Sequence, residues 1–262
     1  MKKILLFLFF IASFLNSAML LKTYDGRNLA GWVMSQKYDG VRAIWDGKSL
    51  KSRQNKAFCA PKSFLEKLPP FALDGELYTK KGDFENISSI VKNCDERWQT
   101  IKYMIFDSPD FSGNLESRLA PLRKFLSEQN ATNIVIIEQK PILKTADALN
   151  FLDEITAAGG EGIVVRNPNA PYKNGRQNSI LKLKKFKDSE CKVLKINPRK
   201  DDINAIGSVL CQDLKSKISF KIGSGFGDAK LQKGDIITYK YQNLTKNKKP
   251  RFAVFLRKKD DF

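Results

Sequence analysis

A succession of short β-type segments separated by turn dipeptides constrains the fold of this chain more than any other feature. Between Asp-Gly, Asn-Gly and Pro-Asn pairs lie the runs GWVMSQ, VRAIW, FALDGELY, IKYMIFD, NIVIIEQ, GIVVR and ILKLKKF. Short runs rich in β-branched and aromatic residues, bounded by turn formers, are typical of β-strands. The sequence therefore predicts a scaffold of antiparallel or mixed sheets.

Two longer segments, residues 115–130 and 145–160, have helical periodicity instead. In the second segment Thr145 is expected to cap the amino end, and a glycine pair follows the last apolar position. Its apolar residues are spaced for one helix face, at Ala148, Leu149, Leu152 and Ile155. Sheets with flanking helices make this part of the chain an α+β domain.

After Lys187 the pattern changes to short strands alone. The segments CKVLKINPRK, AIGSVLCQD, KISFKIGSG, DIITYKYQN and RFAVFLRKK follow one another without a helical stretch. Such a series suits a small all-β barrel, and an OB-fold is the natural candidate in a basic protein. We therefore expect an α+β domain over residues 19–188 and an OB-fold domain over residues 189–262, with the boundary near Asp188.

The first eighteen residues, MKKILLFLFFIASFLNSA, join two lysines to an apolar run that ends in small residues. This pattern predicts a secretory signal that is cleaved after Ala18. An N-terminal membrane anchor is the alternative, but the run over residues 4–15 is short for a span of about 20 residues. The expected product is an exported, periplasmic protein with no membrane segment after cleavage.

Charge and histidine content limit the function classes. The chain carries 46 Lys plus Arg against 28 Asp plus Glu, a formal charge of +18, which favours a polyanionic partner. It contains no histidine, so Ser-His-Asp and Cys-His catalysis and every His-ligated metal site are excluded. Any chemistry must use lysine, carboxylates, hydroxyls, thiols or a metal held by carboxylates.

The four cysteines lack the CxxC spacing of metal sites. Cys191 and Cys211 could face each other across neighbouring strands, and an oxidising compartment would permit a disulfide. Free buried thiols remain the alternative for all four, which are Cys59, Cys94, Cys191 and Cys211.

Asp-Gly pairs recur at residues 25–26, 39–40, 46–47 and 74–75, and as turn-forming dipeptides they are all ordinary. The second differs in its neighbours, because Lys37 precedes Asp39 by two residues and Arg42 follows it by three. In the first copy, threonine stands in place of that lysine. Lys37 is therefore the lysine to examine for a chemical role.

The segment Lys37-Tyr38-Asp39-Gly40-Val41-Arg42 resembles the KxDGxR nucleophile motif of the covalent nucleotidyltransferases. The other motifs of that family follow in the expected order: Ser52-Arg53, Asp74-Gly75-Glu76, Tyr103-Met104-Ile105-Phe106-Asp107, Glu161-Gly162-Ile163-Val164-Val165-Arg166 and Leu181-Lys182-Leu183-Lys184. With the expected OB-fold tail, the resemblance covers nearly the whole chain after residue 18. It is strongest to the minimal, exported ATP-dependent DNA ligases of bacteria.

The resemblance implies a role for each matched residue. Lys37 would attack ATP as the nucleophile and carry AMP, aided by Lys182 and Lys184, and Asp39 would support the site. Glu161 would hold Mg²⁺ or Mn²⁺, and Glu76 would bind the ribose. Residues expected to bind the nucleotide are Gln36, Arg42, Arg53, Glu76, Phe106, Lys182 and Lys184, and those expected to contact DNA or pyrophosphate are Arg251, Arg257 and Lys258.

Chemistry supports these roles independently. A lysine attacks phosphorus only as the free amine, so it needs burial or cationic neighbours. In an LKLK strand, Lys182 and Lys184 project from one face, where two ammonium groups could favour the free amine of Lys37 and hold phosphates.

A purely structural role remains the alternative for several of these residues. The LKLK lysines could cover a solvated strand face, and Glu161 could form a surface salt bridge. Phe106 could pack in the core instead of stacking on adenine, and Arg166 could form an ion pair at the end of a strand.

The expected function is therefore sealing of nicks in duplex DNA through lysyl-AMP and DNA-adenylate intermediates, by a monomer that uses ATP. An RNA ligase or another covalent nucleotidyltransferase is the first alternative. The second alternative is a basic nucleic-acid-binding protein with an inactive site.

Overall fold

The computed structural model describes residues 18–94, 96–129 and 131–259. Of the predicted signal segment, residues 1–18, only Ala18 lies within the described range. Within the described residues, no helix has the length and hydrophobicity needed to cross a membrane. The chain forms two compact units, the first ending at Leu183 and the second beginning at Lys184, a few residues before the boundary expected near Asp188.

The first unit combines ten strands with short helices among the described residues, so the α+β prediction is confirmed. Its strands are β1 (Met19–Thr23), β2 (Val33–Gln36), β3 (Val41–Trp45), β4 (Leu50–Ser52), β5 (Leu73–Tyr78), β6 (Lys102–Asp107), β7 (Ile134–Ile136), β8 (Lys140–Pro141), β9 (Ile163–Arg166) and β10 (Gly175–Leu183). Its helices are α1 (Lys62–Leu65), α2 (Phe84–Lys92), a 3₁₀ helix (Glu96–Thr100), α3 (Leu115–Glu128) and α4 (Thr145–Ala157).

The strands of this unit form two five-stranded sheets. One has the order β1-β10-β9-β2-β8, and the other has the order β4-β3-β5-β6-β7. The pairings β1–β10 and β6–β7 are parallel, and the other described pairings in these sheets are antiparallel. Each sheet has its own apolar core, with Trp98 and Tyr103 fully buried in the larger cluster and Leu181 fully buried in the smaller one.

Helix α4 begins one position earlier than expected. Thr145 is its first residue and Lys144 is the N-cap, so the prediction that Thr145 caps the helix was wrong. The Asp147 carboxylate accepts the backbone N–H of Lys144 at 2.9 Å, and the Thr145 hydroxyl accepts the backbone N–H of Leu29 at 3.0 Å. The acidic side chain in the first turn thus accepts the N–H of the N-cap residue, and the Thr145 hydroxyl contacts a different segment.

The Asp74-Gly75 pair lies inside β5, within the run FALDGELY that the sequence predicted as a strand. A Cβ at Gly75 would lie 2.6 Å from the Met104 carbonyl oxygen and 2.7 Å from Tyr103 Cε2. Glycine is needed because β6 approaches closely, and this requirement overrides the turn preference of the pair. By contrast, the Asp46-Gly47 pair does form the turn between β3 and β4, with the Asp46 carboxylate accepting the Ser49 N–H at 2.7 Å.

The second unit is all β within the described residues. Its strands are β11 (Lys187–Pro198), β12 (Ile206–Asp213), β13 (Ser219–Ile222), β14 (Ile236–Tyr241) and β15 (Val254–Lys258), in the order β13-β12-β11-β14-β15. The predicted series of five strands is confirmed. Asp213 ties the sheet together, because its carboxylate accepts hydrogen bonds from the hydroxyls of Ser189 at 2.9 Å and Tyr239 at 2.8 Å.

Each unit contains one disulfide. Cys191 and Cys211 are bonded within the core of the second unit, as their placement on neighbouring strands suggested. Cys59 and Cys94 are bonded in the first unit, a pairing that the sequence did not indicate. The alternative of free thiols is excluded for all four cysteines.

Candidate active site

Lys37 directly follows β2 and is held opposite the start of β9. Its backbone N–H donates to the Gly162 carbonyl at 2.9 Å, continuing the antiparallel register in which Gln36 faces Ile163. Its Nζ donates to Glu161 Oε2 at 2.7 Å. The Lys37 side chain is 21% exposed and that of Glu161 is 7% exposed. The KxDGxR segment and the segment that begins at Glu161 therefore meet through a largely buried ion pair, in which the Lys37 side chain keeps some exposure to solvent.

Gly40 allows the lysine turn to approach β5. A Cβ at this position would overlap the Leu77 carbonyl and would lie 2.9 Å from Cγ of Glu76. On the neighbouring strand Arg42 faces Glu76 across the β3–β5 register. Close packing, rather than turn formation alone, therefore explains glycine at this position.

The Glu76 carboxyl has an unusual environment. Burial raises its pKa to about 7, with the nearby charge of Glu161 adding to this effect, while Lys37 and Arg42 oppose it. A carboxyl with such a pKa changes charge near neutral pH. The motif acids Glu76 and Glu161 therefore share one electrostatic environment with the proposed nucleophile.

The Arg42 guanidinium is held in place by Asp74 and by a backbone carbonyl. Its Nε and Nη2 donate to the two oxygens of Asp74 at 2.9 and 2.6 Å, and its Nη1 donates to the Met19 carbonyl. Tyr172 donates its hydroxyl proton to Asp74 Oδ2 at 2.8 Å. Asp74 is fully buried, and burial raises the pKa of its carboxyl. Sequence reasoning missed Met19 and Tyr172, because neither belongs to a motif.

Phe106 presents a half-buried ring between two guanidinium groups. Arg42 Cζ lies 5.3 Å and Arg166 Cζ lies 5.8 Å from the centre of the ring. The ring belongs to neither apolar core cluster of this unit, so the alternative of core packing is not supported. An aromatic ring that is partly accessible and lies beside an arginine can stack on a heterocycle.

Arg166 does form the strand-end ion pair that was the alternative for this residue. Its Nη1 donates to the Phe106 carbonyl at 2.9 Å and to Asp107 Oδ2 at 3.2 Å. Arg118 from α3 also donates to Asp107, through Nε at 2.7 Å. These buried contacts fix the end of β6 that carries Phe106.

The LKLK alternation is confirmed as far as Leu183. Leu181 and Leu183 are buried, whereas Lys182 between them is half-buried on the other face of β10. Lys184 is the first residue of the second unit, where its Nζ donates to Gln242 Oε1 at 3.1 Å and lies 5.6 Å from the centre of the Phe252 ring.

The remaining predicted residues are spread over both units. Arg53 is exposed in the turn after β4, within the first unit. In the second unit, Arg251 stacks at 5.4 Å from the Phe252 ring centre, Arg257 is exposed on β15, and Lys258 forms an ion pair with Asp235 at 3.0 Å. Their expected contacts with DNA or pyrophosphate stay predictions.

The carboxylates are compatible with a hard divalent cation. Among the described residues, no group of three or more carboxylate, cysteine or histidine side chains could hold a metal without other ligands. Glu76 and Glu161 nevertheless interact, and Glu161 is well shielded from solvent. Mg²⁺ commonly binds one or two carboxylates together with water and substrate phosphates, which suits this pair.

Comparisons with known proteins agree with the geometry. A family model described as "ATP dependent DNA ligase domain" matches residues 12–184, and one described as "DNA ligase OB-like domain" matches residues 203–258. A DNA ligase from Haemophilus influenzae is 43% identical over 263 residues, which cover 97% of each chain.

Solved structures extend this result. A structure from a study of Lig E DNA ligases has a TM-score of 0.87 and 33% identity, covering 93% of this chain and 99% of the other. A DNA ligase-adenylate of Chlorella virus has a TM-score of 0.57 at 21% identity, covering 94% and 99% respectively, and supports the fold alone. The family matches and the full-length relative together place the chain in the family of ATP-dependent DNA ligases.

Proposed function

We propose that this ATP-dependent DNA ligase seals nicks through a covalent AMP adduct on Lys37. The observation that carries the assignment is the contact between Lys37 Nζ and Glu161 Oε2 at 2.7 Å, with the Glu76 carboxyl in the same electrostatic environment. Both acids come from motifs that are distant in sequence. A lysine that served only for solubility would be largely exposed, whereas the Lys37 side chain is 21% exposed and contacts a carboxylate that is 7% exposed.

In the first step, Lys37 Nζ bonds to the α-phosphorus of ATP as the bond from that phosphorus to the bridging oxygen breaks. Pyrophosphate leaves, and the Nζ proton departs toward the Glu161 carboxylate or solvent. The Glu161 contact orients Nζ, and the Gly162 carbonyl fixes the backbone of Lys37. Positioning of this kind supplies much of the catalysis in phosphoryl-type transfer.

The nucleotide is held by the residues around Lys37. The Phe106 ring would stack on adenine, and the ionised Glu76 would accept a hydrogen bond from the ribose. Arg42 is held between Asp74 and the Phe106 ring, so its placement is fixed before ATP arrives. The guanidinium of Arg53 is expected to bind phosphate oxygens through two parallel hydrogen bonds, whereas Lys182 is expected to contact them as a point charge.

A divalent metal, Mg²⁺ or Mn²⁺, would be held by Glu161 with Glu76 nearby. When bound, the metal would neutralise negative charge on the phosphates.

The two later steps use the same phosphorus chemistry. A 5′-phosphate oxygen at the nick attacks the phosphorus of lysyl-AMP, which breaks the P–N bond and frees Lys37. The 3′-hydroxyl then attacks the 5′-phosphorus, AMP leaves and the strand is closed. In the second unit, basic residues such as Lys184, Arg251, Arg257 and Lys258 would contact DNA or pyrophosphate, and DNA affinity should fall steeply with salt.

Export to the periplasm is the second part of the proposal. The protein contains two disulfides, and structural disulfides persist in oxidising compartments. Together with the apolar N-terminal run, they support cleavage after Ala18 and no membrane attachment afterwards. N-terminal sequencing of protein from the periplasmic fraction should find Met19 first, whereas full-length protein in the cytoplasm would contradict export.

Nicked substrates test the activity. Nicked duplex DNA should be sealed with ATP, while nicked RNA should be sealed much more slowly and GTP should not replace ATP. Preferential sealing of RNA would assign the chain to the RNA ligases. DNA binding without any sealing would favour the inactive binding protein. Sedimentation with and without nicked DNA would test the expected monomer.

A further inference from the structure

The Arg118 side chain joins the amino end of α3 to the loop between β9 and β10. It is 3% exposed, and its Nη1 donates to the Ala170 carbonyl of that loop at 3.0 Å. The backbone N–H of Leu115, at the start of α3, donates to the Pro168 carbonyl of the same loop at 2.8 Å. These hydrogen bonds fix the position of the loop against α3.

The same guanidinium holds the end of β6. Its Nε and Nη2 donate to the two carboxylate oxygens of Asp107 at 2.7 and 3.0 Å, and Nη1 also donates to the Gly113 carbonyl at 2.7 Å. Asp107 is fully buried and directly follows Phe106 on this strand. Hydrogen bonds in several directions need the planar fork of a guanidinium, which the single nitrogen of a lysine cannot reproduce.

The loop between β9 and β10 also reaches Arg42. Tyr172 lies in this loop and donates its hydroxyl proton to Asp74 Oδ2 at 2.8 Å. Asp74 in turn accepts hydrogen bonds from Arg42 at 2.9 and 2.6 Å. The Arg42 Cζ lies 5.3 Å from the centre of the Phe106 ring. Contacts from Arg118 thus run along β6 to Phe106 and through the loop to Arg42, and the two routes meet at this ring.

The reacting lysine and its acid partner belong to the other sheet of this unit. Lys37 follows β2 and Glu161 precedes β9, whereas β6 lies in the sheet of β3 and β5. A change at Arg118 should therefore disturb the groups assigned to nucleotide binding and leave the reacting Nζ in place. Loss of an interaction that is equal in the ground state and the transition state raises the half-saturating substrate concentration but not the saturated rate.

We propose that Arg118 is a positioning residue for ATP, which sets Phe106 and Arg42 at the separation that the bound nucleotide requires. The inference rests on the proposed function, in which the Phe106 ring stacks on adenine and Arg42 lies beside it. Arg118 does not contact the nucleotide in this scheme. It acts through Asp107 and through the loop between β9 and β10.

Single-turnover adenylylation at increasing ATP concentration tests this role. Arg118→Lys keeps a cation beside Asp107 but loses the fork, so the half-saturating ATP concentration should rise at least about tenfold. The saturated rate should stay within about threefold of wild type. Arg123→Lys is the matched control on the same helix, because Arg123 forms an exposed ion pair with Glu116, and it should change neither value. A purely structural defect would lower the fraction of enzyme that is labelled and leave the half-saturating ATP concentration unchanged, which would overturn the proposal.

Two further variants test the route through the loop and the role of the ring. Tyr172→Phe removes one hydroxyl from a half-buried side chain, and it should raise the half-saturating ATP concentration about threefold or more with an unchanged saturated rate. In a Phe106→Leu background, Arg118→Lys should weaken ATP much less than it does in wild type, because the ring through which it acts is gone. Equal weakening in both backgrounds would show that Arg118 does not act through Phe106 and would overturn the proposal.

Calorimetric titration of ATP into Lys37→Ala separates this inference from the proposed function, because it needs no chemistry at the lysine. Adding Arg118→Lys to this variant should weaken ATP binding at least about tenfold. That result would support the inference even if the wild-type protein acquires no label, an outcome that refutes only the proposed function. Unchanged ATP affinity would overturn the inference even if the wild type is labelled. If Arg118→Lys does not fold, Tyr172→Phe in the same background decides, with weaker binding supporting the inference and unchanged binding overturning it.

Discussion

Replacing Asp74 by asparagine should be among the most damaging single changes in the first unit. The carboxylate is fully buried and accepts two hydrogen bonds from Arg42, at 2.9 and 2.6 Å, and one from Tyr172 at 2.8 Å. Removing its charge would leave the Arg42 guanidinium largely buried without a counterion. Loss of one partner from a buried pair costs about 3–5 kcal/mol, and we expect this loss in the free energy of unfolding of Asp74→Asn.

The matched control removes both partners. Burial raises the pKa of Asp74 even though Arg42 is adjacent, which indicates that attraction does not fully offset the desolvation of the carboxylate. The double variant Arg42→Met/Asp74→Leu should therefore recover stability to within about 1–2 kcal/mol of wild type. It should still form lysyl-AMP slowly, because one of the two guanidinium groups beside Phe106 is missing.

Urea unfolding monitored by circular dichroism measures the free energy of unfolding of each variant. Single-turnover adenylylation measures the rate of lysyl-AMP formation. If Asp74→Asn unfolds at the wild-type urea concentration, the pair does not anchor Arg42 and the reasoning fails. Full activity in the double variant would remove Arg42 from the nucleotide site.

Three further predictions concern other parts of the protein. Because the pKa of Glu76 is raised to about 7, adenylylation should slow as the pH falls from 8 to 6, and the pH profile of the Glu76→Gln variant should lack this inflection. The raised pKa also means that the folded state binds this proton more tightly than the unfolded state does. The contribution of Glu76 to folding stability should therefore be fully present below about pH 4.5 and should be lost as the pH rises to 7. Gly40→Ala should cost about 1–3 kcal/mol in thermal unfolding, since its Cβ would overlap the β5 backbone, whereas Gly223→Ala, which meets open space, should cost much less. Replacing both Cys191 and Cys211 by alanine should lower the stability of the second unit by about 3 kcal/mol in calorimetry, and an unchanged transition would show that the disulfide carries no stability.

Local sequence predicted those parts of the site that depend on strand periodicity and on order along the chain. Alternation in LKLK placed the leucines in the core and Lys182 on the opposite face, as the structure confirms. The pairing of Lys37 with Glu161 brings together two motifs that the sequence had connected only through family resemblance.

The supporting contacts could not be predicted, because they are set by sheet register. Arg42 was expected to bind phosphate, and nothing local showed that Asp74 would hold it, since Asp-Gly favours a turn until the approach of β6 is known. Tyr172 and Met19 meet the same cluster from distant strands and loops without any sequence motif. The Cys59–Cys94 disulfide likewise joins residues whose proximity arises only in the folded unit.

Incubation with α-labelled ATP and Mg²⁺ tests the central claim most directly. The wild-type protein should acquire one covalent label that is stable to alkali but labile to acid, as a P–N bond is, and mass spectrometry should locate it on Lys37 as AMP. The Lys37→Ala variant should remain unlabelled while Lys51→Ala, which removes a surface lysine paired with Asp46, should label normally. No label on the wild type, or equal labelling of Lys37→Ala, would contradict the account.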